Sequence, residues 1–376
     1  MKKTISSIFA AVSAIMLFSG CDNAEYKVIG NIVYLSDADG VTKAATYTVE
    51  DGVDIPVSVR LAQKTDRDVS VSLEFSQADL DAYNGDNGTE YVCLDGLPSD
   101  ASVTIPAGSI SATYVLHVDD YAAEGTTYAV PVRLGEVREG DVMVSAGQGH
   151  FIYVLSKPLI VSVPVMTGTG SEGTGVIAGG EWGFEVDSWT FEAWIRMSAY
   201  STNNQSFFRT GAANPGNIFM RFGDANGPFN YIQVKIYGGQ VQTASDLVAG
   251  RWYHWAMVYD GNVFTIYRNG EKDVEYTPTK PSRMVMEYAR MMDTGYMFRD
   301  ECSISQARFW KTARTQSEIQ SNMYYEINPE NPGLIAYWPM DEGSGSTFRD
   351  ISGNGRDMVA ADGVVLRWED GVRFDK

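Results

Sequence analysis

Three cysteines and three histidines are all that this 376-residue chain offers for thiolate or imidazole chemistry. Of the cysteines, Cys21 stands at the end of an N-terminal apolar run, and Cys93 and Cys302 lie more than two hundred positions apart. That count excludes a disulfide framework, and no Cys–His spacing of a zinc site occurs. His117, His150 and His254 are isolated from one another, and neither H-E-x-x-H nor G-x-S-x-G is present, which removes the contiguous metalloprotease and serine-hydrolase signatures. Long apolar runs are absent too. Residues 8–18 form the one extended stretch and are too short to span a bilayer as a mature helix. Basic residues are scarce: 29 Lys and Arg face 48 Asp and Glu, for a net charge of −19. Such a surface repels nucleic acid and anionic lipid headgroups. It is compatible with neutral glycans, and equally with acidity that only keeps an exported chain soluble. No internal repeat or low-complexity tract occurs.

The N-terminus reads as an export signal. Lys2 and Lys3 precede the apolar run, and Ser19 and Gly20 precede Cys21. The arrangement resembles a bacterial lipoprotein box, which implies a signal peptide over 1–20, cleavage before Cys21 and acylation of its thiol. Residues 21–28 would then be a lipidated tether. Each buried methylene adds about 0.8 kcal/mol, so several acyl chains hold a protein on a membrane essentially permanently. Contact with membrane is expected through that anchor alone. The location expected is the outer membrane, on the cell surface or the periplasmic face.

Beyond the tether the pattern is all-β. Val53, Ile55, Val57, Val59 and Leu61 alternate with Asp54, Pro56, Ser58 and Arg60. The same period recurs at Val69, Val71, Leu73 and Phe75, at Tyr114, Leu116 and Val118, and at Tyr128, Val130, Val132 and Leu134. Period-2 alternation means strands with one buried and one wet face. One short helix is expected over 77–83, with Ser76 as its N-cap. Residues 29–156 therefore read as an antiparallel, immunoglobulin-like β-sandwich. Ser156-Lys157-Pro158 marks an extended connection. A second domain follows over 159–376. There Trp189, Phe191, Ala193, Ile195 and Met197 alternate with Thr190, Glu192, Trp194 and Arg196. Asp260-Gly261 and Asn269-Gly270 supply the positive φ of tight hairpin turns. Thr315 and Glu318 form a capping box that opens a helix expected over 316–324. Met284, Met286, Met291, Met292 and Met297 read as adaptable core filling.

The second domain carries the runs W-T-F-E-A-W-I, R-W-Y-H-W-A-M-V-Y-D-G and I-Y-R-N-G-E. It continues with S-Q-A-R-F-W-K-T-A-R-T-Q-S-E-I from Ser305 and L-I-A-Y-W-P-M-D-E-G-S-G-S-T-F-R-D-I-S-G-N-G from Leu334. In that order these resemble the laminin-G-like, concanavalin A-like family, which implies a jelly-roll β-sandwich used mainly for binding. The first domain carries I-P-V-S-V-R-L, D-V-S-V-S-L-E-F, A-Y-N-G-D-N-G-T-E-Y, V-T-I-P-A-G-S and Y-A-V-P-V-R-L. These resemble the N-terminal domain of unknown function that precedes carbohydrate modules in Bacteroidetes surface lipoproteins, and imply a spacer or platform.

Two motifs fail on context. Gly168 to Gly173 matches G-x-G-x-x-G after a strand, but four glycines in the next ten residues leave no helix to hold a pyrophosphate. Glu185-Val186-Asp187 is similar to the E-x-D-x-E strand of sandwich-fold glucan hydrolases, yet the third acid is replaced by Trp189 or Thr190. His254, between Tyr253 and Trp255, reads as a packed or edge histidine. Asp341, Asp350 and Asn354 bring oxygens to glycine turns; calcium, which laminin-G-like domains often carry, and turns closed by Asx hydrogen bonds are the two readings. No other cofactor is implied.

The candidate ligand region is 182–231, rich in aromatics and amides. Trp182, Tyr200 and Phe229 can stack on the C–H face of a sugar. Asn203, Asn204, Asn217, Asp224 and Asn226 can bond its hydroxyls, and Arg209 and Arg221 offer forked donors. Asn214 and Asn230 belong to the same stretch, whereas Phe191, Phe207 and Phe219 read as core. The expectation is a non-catalytic lipoprotein that binds polysaccharide or glycan, working beside outer-membrane glycan-uptake partners and not with nucleic acid. A protein-binding adhesin or assembly scaffold, and a glycoside hydrolase or lyase, are the alternatives.

Overall fold

The structure, a computed structural model, describes residues 30–374 apart from 41–42, 124, 139–140, 169–174, 213–215, 280–282 and 294–297. The leader and the whole 21–28 tether, Cys21 included, lie outside the described residues, as do five of the six residues in the 168–173 glycine motif, Asn214 and Met297.

Alternating apolar residues in the first half close two sheets over one core. The four-stranded sheet runs in the order Ser111–Asp119, Gly52–Leu61, Ile32–Leu35, Met143–Val144. The other has Ala44–Thr48, His150–Ser156, Tyr128–Arg138, Val69–Glu74 and Ser102–Ile105, with Val92–Cys93 beside Tyr128–Arg138. The inward residues are those the alternation selects: Ile55, Val57, Val59, Leu61, Val69, Val71, Leu116, Val118, Val130 and Val132 are buried. The sandwich is not wholly antiparallel. Ile32–Leu35 pairs in parallel with Met143–Val144, Ala44–Thr48 with His150–Ser156, and Val92–Cys93 with Tyr128–Arg138. The helix is longer than its apolar period suggests, Gln77–Asn87, because the polar turn after Tyr83 stays helical until Gly88 takes φ 66° and donates its N–H to Asn84 O. Ser76 holds the N-cap backbone conformation without a side-chain cap bond.

The second half builds two eight-stranded sheets. One is ordered Glu271–Tyr276, Phe264–Arg268, Trp252–Tyr259, Trp189–Met197, Cys302–Trp310, Ile160–Thr167, Val365–Arg373, with Leu334–Trp338 beside Cys302–Trp310. The other is ordered Gly239–Gln242, Ile232–Ile236, Asn217–Phe222, Gln205–Gly211, Tyr288–Met291, Val176–Ala178, Met358–Ala360, Thr347–Phe348. Trp189, Trp255 and Trp338 are fully buried between them with Phe191, Phe207, Phe208 and Phe222. Each buried indole removes roughly 150–250 Å² from water, a gross gain of about 4–6 kcal/mol before conformational entropy. Met284, Met286, Met291 and Met292 sit in this core as well. Both hairpin turns have the expected backbone, with Gly261 at φ 99°, Asn269 at 52° and Gly270 at 77°.

The two sheets differ in what covers them. The outer face of the first is roofed. The helix Gln316–Asn322 starts on its capping box, Thr315 Oγ1 accepting from Glu318 N and Glu318 Oε2 from Thr315 N. It lies over the sheet, with the Gln316 and Gln320 amides donating to Gly270 O. Trp194 stacks on Phe374 at 4.9 Å and donates Nε1 to Met323 O. Beneath this roof Glu192, His254 and Arg308 are buried together: Glu192 accepts from Trp310 Nε1, and Arg308 donates to the carbonyls of Asn322 and Tyr325. Burial first, then the Arg308 charge, pushes the His254 pKa down to about 3, so the ring is neutral.

Candidate functional site

Among the described residues no helix covers the outer face of the second sheet, and its register brings one residue from every strand into a single line. In order across the sheet these are Gln240, Lys235, Phe219, Arg209, Arg290, Ile177, Val359 and Thr347, each the cross-strand partner of the next. Their chain neighbours Val234, Met220, Ile218, Phe208, Ala289, Met291, Val176 and Met358 point into the core. Alternation therefore fixes the line on the other side. Gln240, Lys235, Ile177, Val359 and Thr347 are exposed, while Phe219, Arg209 and Arg290 are half-buried.

The middle of the line is built from arginine and aromatic side chains. The Arg209 guanidinium lies 4.4 Å from the Phe219 ring centre and 5.6 Å from that of Tyr288, and Arg290 approaches Tyr288 from its own side at 5.4 Å. Arg209 Nε donates to Tyr288 Oη at 3.1 Å, and Tyr288 Oη donates to Asn217 Oδ1. Asp293 anchors both cations from below, 2.5 Å from Arg209 Nη1 and 3.3 Å from Arg290 Nη1. Its side chain is 2% exposed, against 27% for Arg209 and 34% for Arg290. Burial works against the Arg209 charge; the hydrogen bond and charge of Asp293 outweigh it and hold the pKa above the ordinary arginine value. Burial also raises the Tyr288 phenol, which stays a neutral donor.

One end of the face is closed by a second network. Arg221 Nε donates to Gln233 Oε1 at 2.9 Å, Gln233 Nε2 to Asp224 Oδ2 at 2.7 Å, and Arg221 Nη2 lies 3.0 Å from Asp224 Oδ1. Gln233 is buried, so this group ties loop 223–230 to the sheet.

The structure divides the residues anticipated from sequence. Arg209 and Asn217 meet at the centre of the face, and Arg221 and Asp224 at its closed end. Tyr200, Asn203 and Asn204 occupy loop 198–204 at that same end, where Asn204 N donates to Gly223 O at 3.3 Å. Tyr200 packs its ring on Phe222 at 5.5 Å, and burial raises its hydroxyl pKa well above the usual phenol range. Asn226 is exposed in loop 223–230; Phe229 packs so closely on Gly223, itself at φ 66°, that a Cβ there would lie 2.7 Å from Phe229 Cβ. Asn230 is spent on the carbonyls of Ser245 and Leu247. Trp182 does not join them. Gly211 pairs with Asn217 and Tyr288, and Ile177 with Arg290, so the chain leaves Ala178 for Trp182 at the opposite end of the sheet. There Trp182 donates Nε1 to Gly179 O and, with Phe184, holds the Arg356 guanidinium 5.1 Å from each ring. Phe219 is a correction: it faces outward beside Arg209, whereas Phe191 and Phe207 are core. Lys235, Tyr288, Arg290 and Asp293 escaped sequence reasoning because only the register unites them.

Of the two readings of the Asp341, Asp350 and Asn354 turns, the hydrogen bonds are those of the Asx-closed one. Asp350 Oδ1 accepts from Tyr337 N, Ser352 N and Ser352 Oγ, and Oδ2 from Arg356 N. Asn354 turns its amide N–H groups toward the carbonyls of Leu334 and Ile335. Four donors on one carboxylate make an Asx-closed turn; a cation would have to displace them. Among the described residues no group of three or more His, Cys, Asp or Glu gathers into a metal site. A cleft of about 120 Å³ between the two halves, lined by Thr48, Ser156, Leu159, Tyr325 and Phe374, falls short of the roughly 300–1,000 Å³ of ligand pockets.

The second domain is thus a two-sheet β-sandwich. Residues 170–320 match the laminin-G-type model of the concanavalin A-like lectin/glucanases superfamily. Residues 27–140 match the model of an N-terminal domain family. Among solved structures, a candidate carbohydrate binding protein from Bacteroides ovatus aligns over 91% of this chain and 99% of its own, with TM-score 0.65 and 23% identity. A heptameric SAP-like pentraxin from Limulus polyphemus aligns over 56% of this chain and 95% of its own, with TM-score 0.39 and 14% identity. No curated protein matches the chain.

Proposed function

We propose that the second domain is a non-catalytic saccharide-binding module whose ligand lies across the open sheet face, and that the first domain carries it away from the membrane. The observation that carries this reading is the eight-strand line centred on Phe219, Arg209 and Arg290. A sugar ring offers an apolar face and a rim of hydroxyls. Phe219 and the aliphatic Ile177–Val359 pair suit the first, and Asn217, Gln240, Thr347 and the guanidinium forks suit the second. Asp224 and Asp293 are both committed to arginines, which supports binding without cleavage, since glycoside hydrolysis needs two carboxyls free to act on the scissile bond. Lipid attachment at Cys21 would set many copies side by side on the outer membrane, on the cell surface or periplasmic face. A polymer touching several copies then gains avidity on the order of 10²–10⁴ over one weak contact. Affinity electrophoresis of the protein in gels containing plant, host or microbial polysaccharides tests the reading. Retardation that disappears in Phe219→Ala is expected; absence of retardation in every gel, or reducing-sugar release on incubation, overturns it.

A further inference from the structure

We infer that the open face reads acidic sugars, a uronate polysaccharide laid across the strands, an inference that rests on the saccharide-binding reading above. The chain carries −19 overall, yet the exposed line contains Lys235, Arg209 and Arg290 and no acid. The carboxylate that pairs with these arginines, Asp293, serves both of them and is itself buried. Counter-charge is thus withheld from the surface while donors are presented to it. Two guanidiniums on one carboxylate leave a net positive charge, and Lys235 adds another two strand steps away. The other acids nearby stand off the line: Asp224 is tied to Arg221 at one end, and Glu287 precedes Tyr288 at the other.

The spacing suits a sugar acid better than a point anion. Strands repeat every ~4.8 Å, so Lys235, Phe219, Arg209 and Arg290 stand at successive steps of that length. An extended pyranose chain advances by a similar step per residue. Of four successive rings, the C5 carboxylates of the first, third and fourth would fall beside Lys235, Arg209 and Arg290, with the second ring stacked on Phe219. Arginine matches a carboxylate through two parallel N–H donors, a geometry a neutral hydroxyl cannot use. The distant acids of the chain do not cancel this at physiological salt, where the screening length is about 8 Å.

The test uses the full chain from Cys21 onward in detergent at 0.15 M NaCl, with three probes: oligogalacturonate, its fully methyl-esterified form and polyglutamate. Expected is Kd at least tenfold lower for the oligogalacturonate than for the ester, with polyglutamate weaker than both. Lys235→Gln with Arg290→Gln should bring the acid-to-ester ratio close to one, lowering binding of the acid more than binding of the ester. Lys272→Gln, on the opposite sheet, should leave the ratio unchanged. Equal affinity for acid and ester overturns the inference and leaves the saccharide reading standing. So does a ratio that survives the double substitution, or polyglutamate binding as tightly as the sugar acid. If neither sugar binds, the inference falls, and the polysaccharide gels decide the saccharide reading.

Discussion

Asp293→Ala should lower the melting temperature of the second domain by about 4–12 °C. The carboxylate is buried and accepts from Arg209 at 2.5 Å with Arg290 at 3.3 Å. Stripping one partner from a fully buried ion pair costs about 3–5 kcal/mol, and a charge-assisted hydrogen bond contributes about 1.5–3 kcal/mol. Both arginines here reach water, which takes over part of their solvation, so the lower half of that span applies, about 2–3 kcal/mol. A domain of this size shifts by roughly 2–4 °C per kcal/mol. Thermal melts followed by circular dichroism measure the drop directly. Arg290→Gln in the Asp293→Ala background should add less than it does alone, because both changes break one network. A drop below about 2 °C, or strictly additive effects, refutes the claim that Asp293 is what holds the two guanidiniums beneath the surface.

Phe219→Ala should weaken polysaccharide binding about tenfold, the loss of one stacking ring, with little change in melting because the ring is not part of the core; affinity electrophoresis against melting curves separates the two. His254 gives a pH signature. The native state refuses a proton that the unfolded chain takes up below about 6.5, so stability falls as pH drops toward about 3, by about 1.4 kcal/mol per unit. His254→Gln should flatten that slope between pH 6 and 4.5 in urea titrations; an unchanged slope would mean the ring is not held neutral. Asp350→Ala should cost about 2–4 kcal/mol by leaving four donors without their acceptor, whereas millimolar calcium or EDTA should shift the wild-type melt by less than a degree. Cys21→Ala should move the protein from the membrane to the soluble fraction, read by fractionation and by loss of labelled fatty acid; a variant that stays membrane-bound and labelled refutes acylation at that thiol.

Strand patterning made the architecture legible and the site only in part. Alternation of Asn217, Phe219 and Arg221 with Ile218, Met220 and Phe222 contains the outward parity of Phe219, yet every position but two is apolar, so the segment alone does not say which set is core. Arg221 decides it once the pairing is known. On the neighbouring strand the register shifts between Ser206 and Phe208, which puts Phe207 and Phe208 both in the core and breaks any strict alternation. Tyr288 and Arg290 come from a short strand some seventy residues later, and nothing local announces that they will flank Arg209. Trp182 illustrates the converse: proximity in sequence to Tyr200 placed it with the loop residues, but an intervening antiparallel course carries it to the other end of the sheet. The roof over the opposite face was half visible in the Thr315–Glu318 capping box. That it would cover Glu192, His254 and Arg308 depends on tertiary packing.

The line across the open sheet has no mirror symmetry. From one edge it presents amide, ammonium, ring, two guanidiniums, then two aliphatics and a hydroxyl. A saccharide has a head and a tail, its reducing and non-reducing termini. Turned end for end on such a track, it would set its substituents against the wrong neighbours. The module would therefore grip its polymer in one polarity, and a tethered array of copies would comb chains into a common heading before anything downstream takes hold of an end.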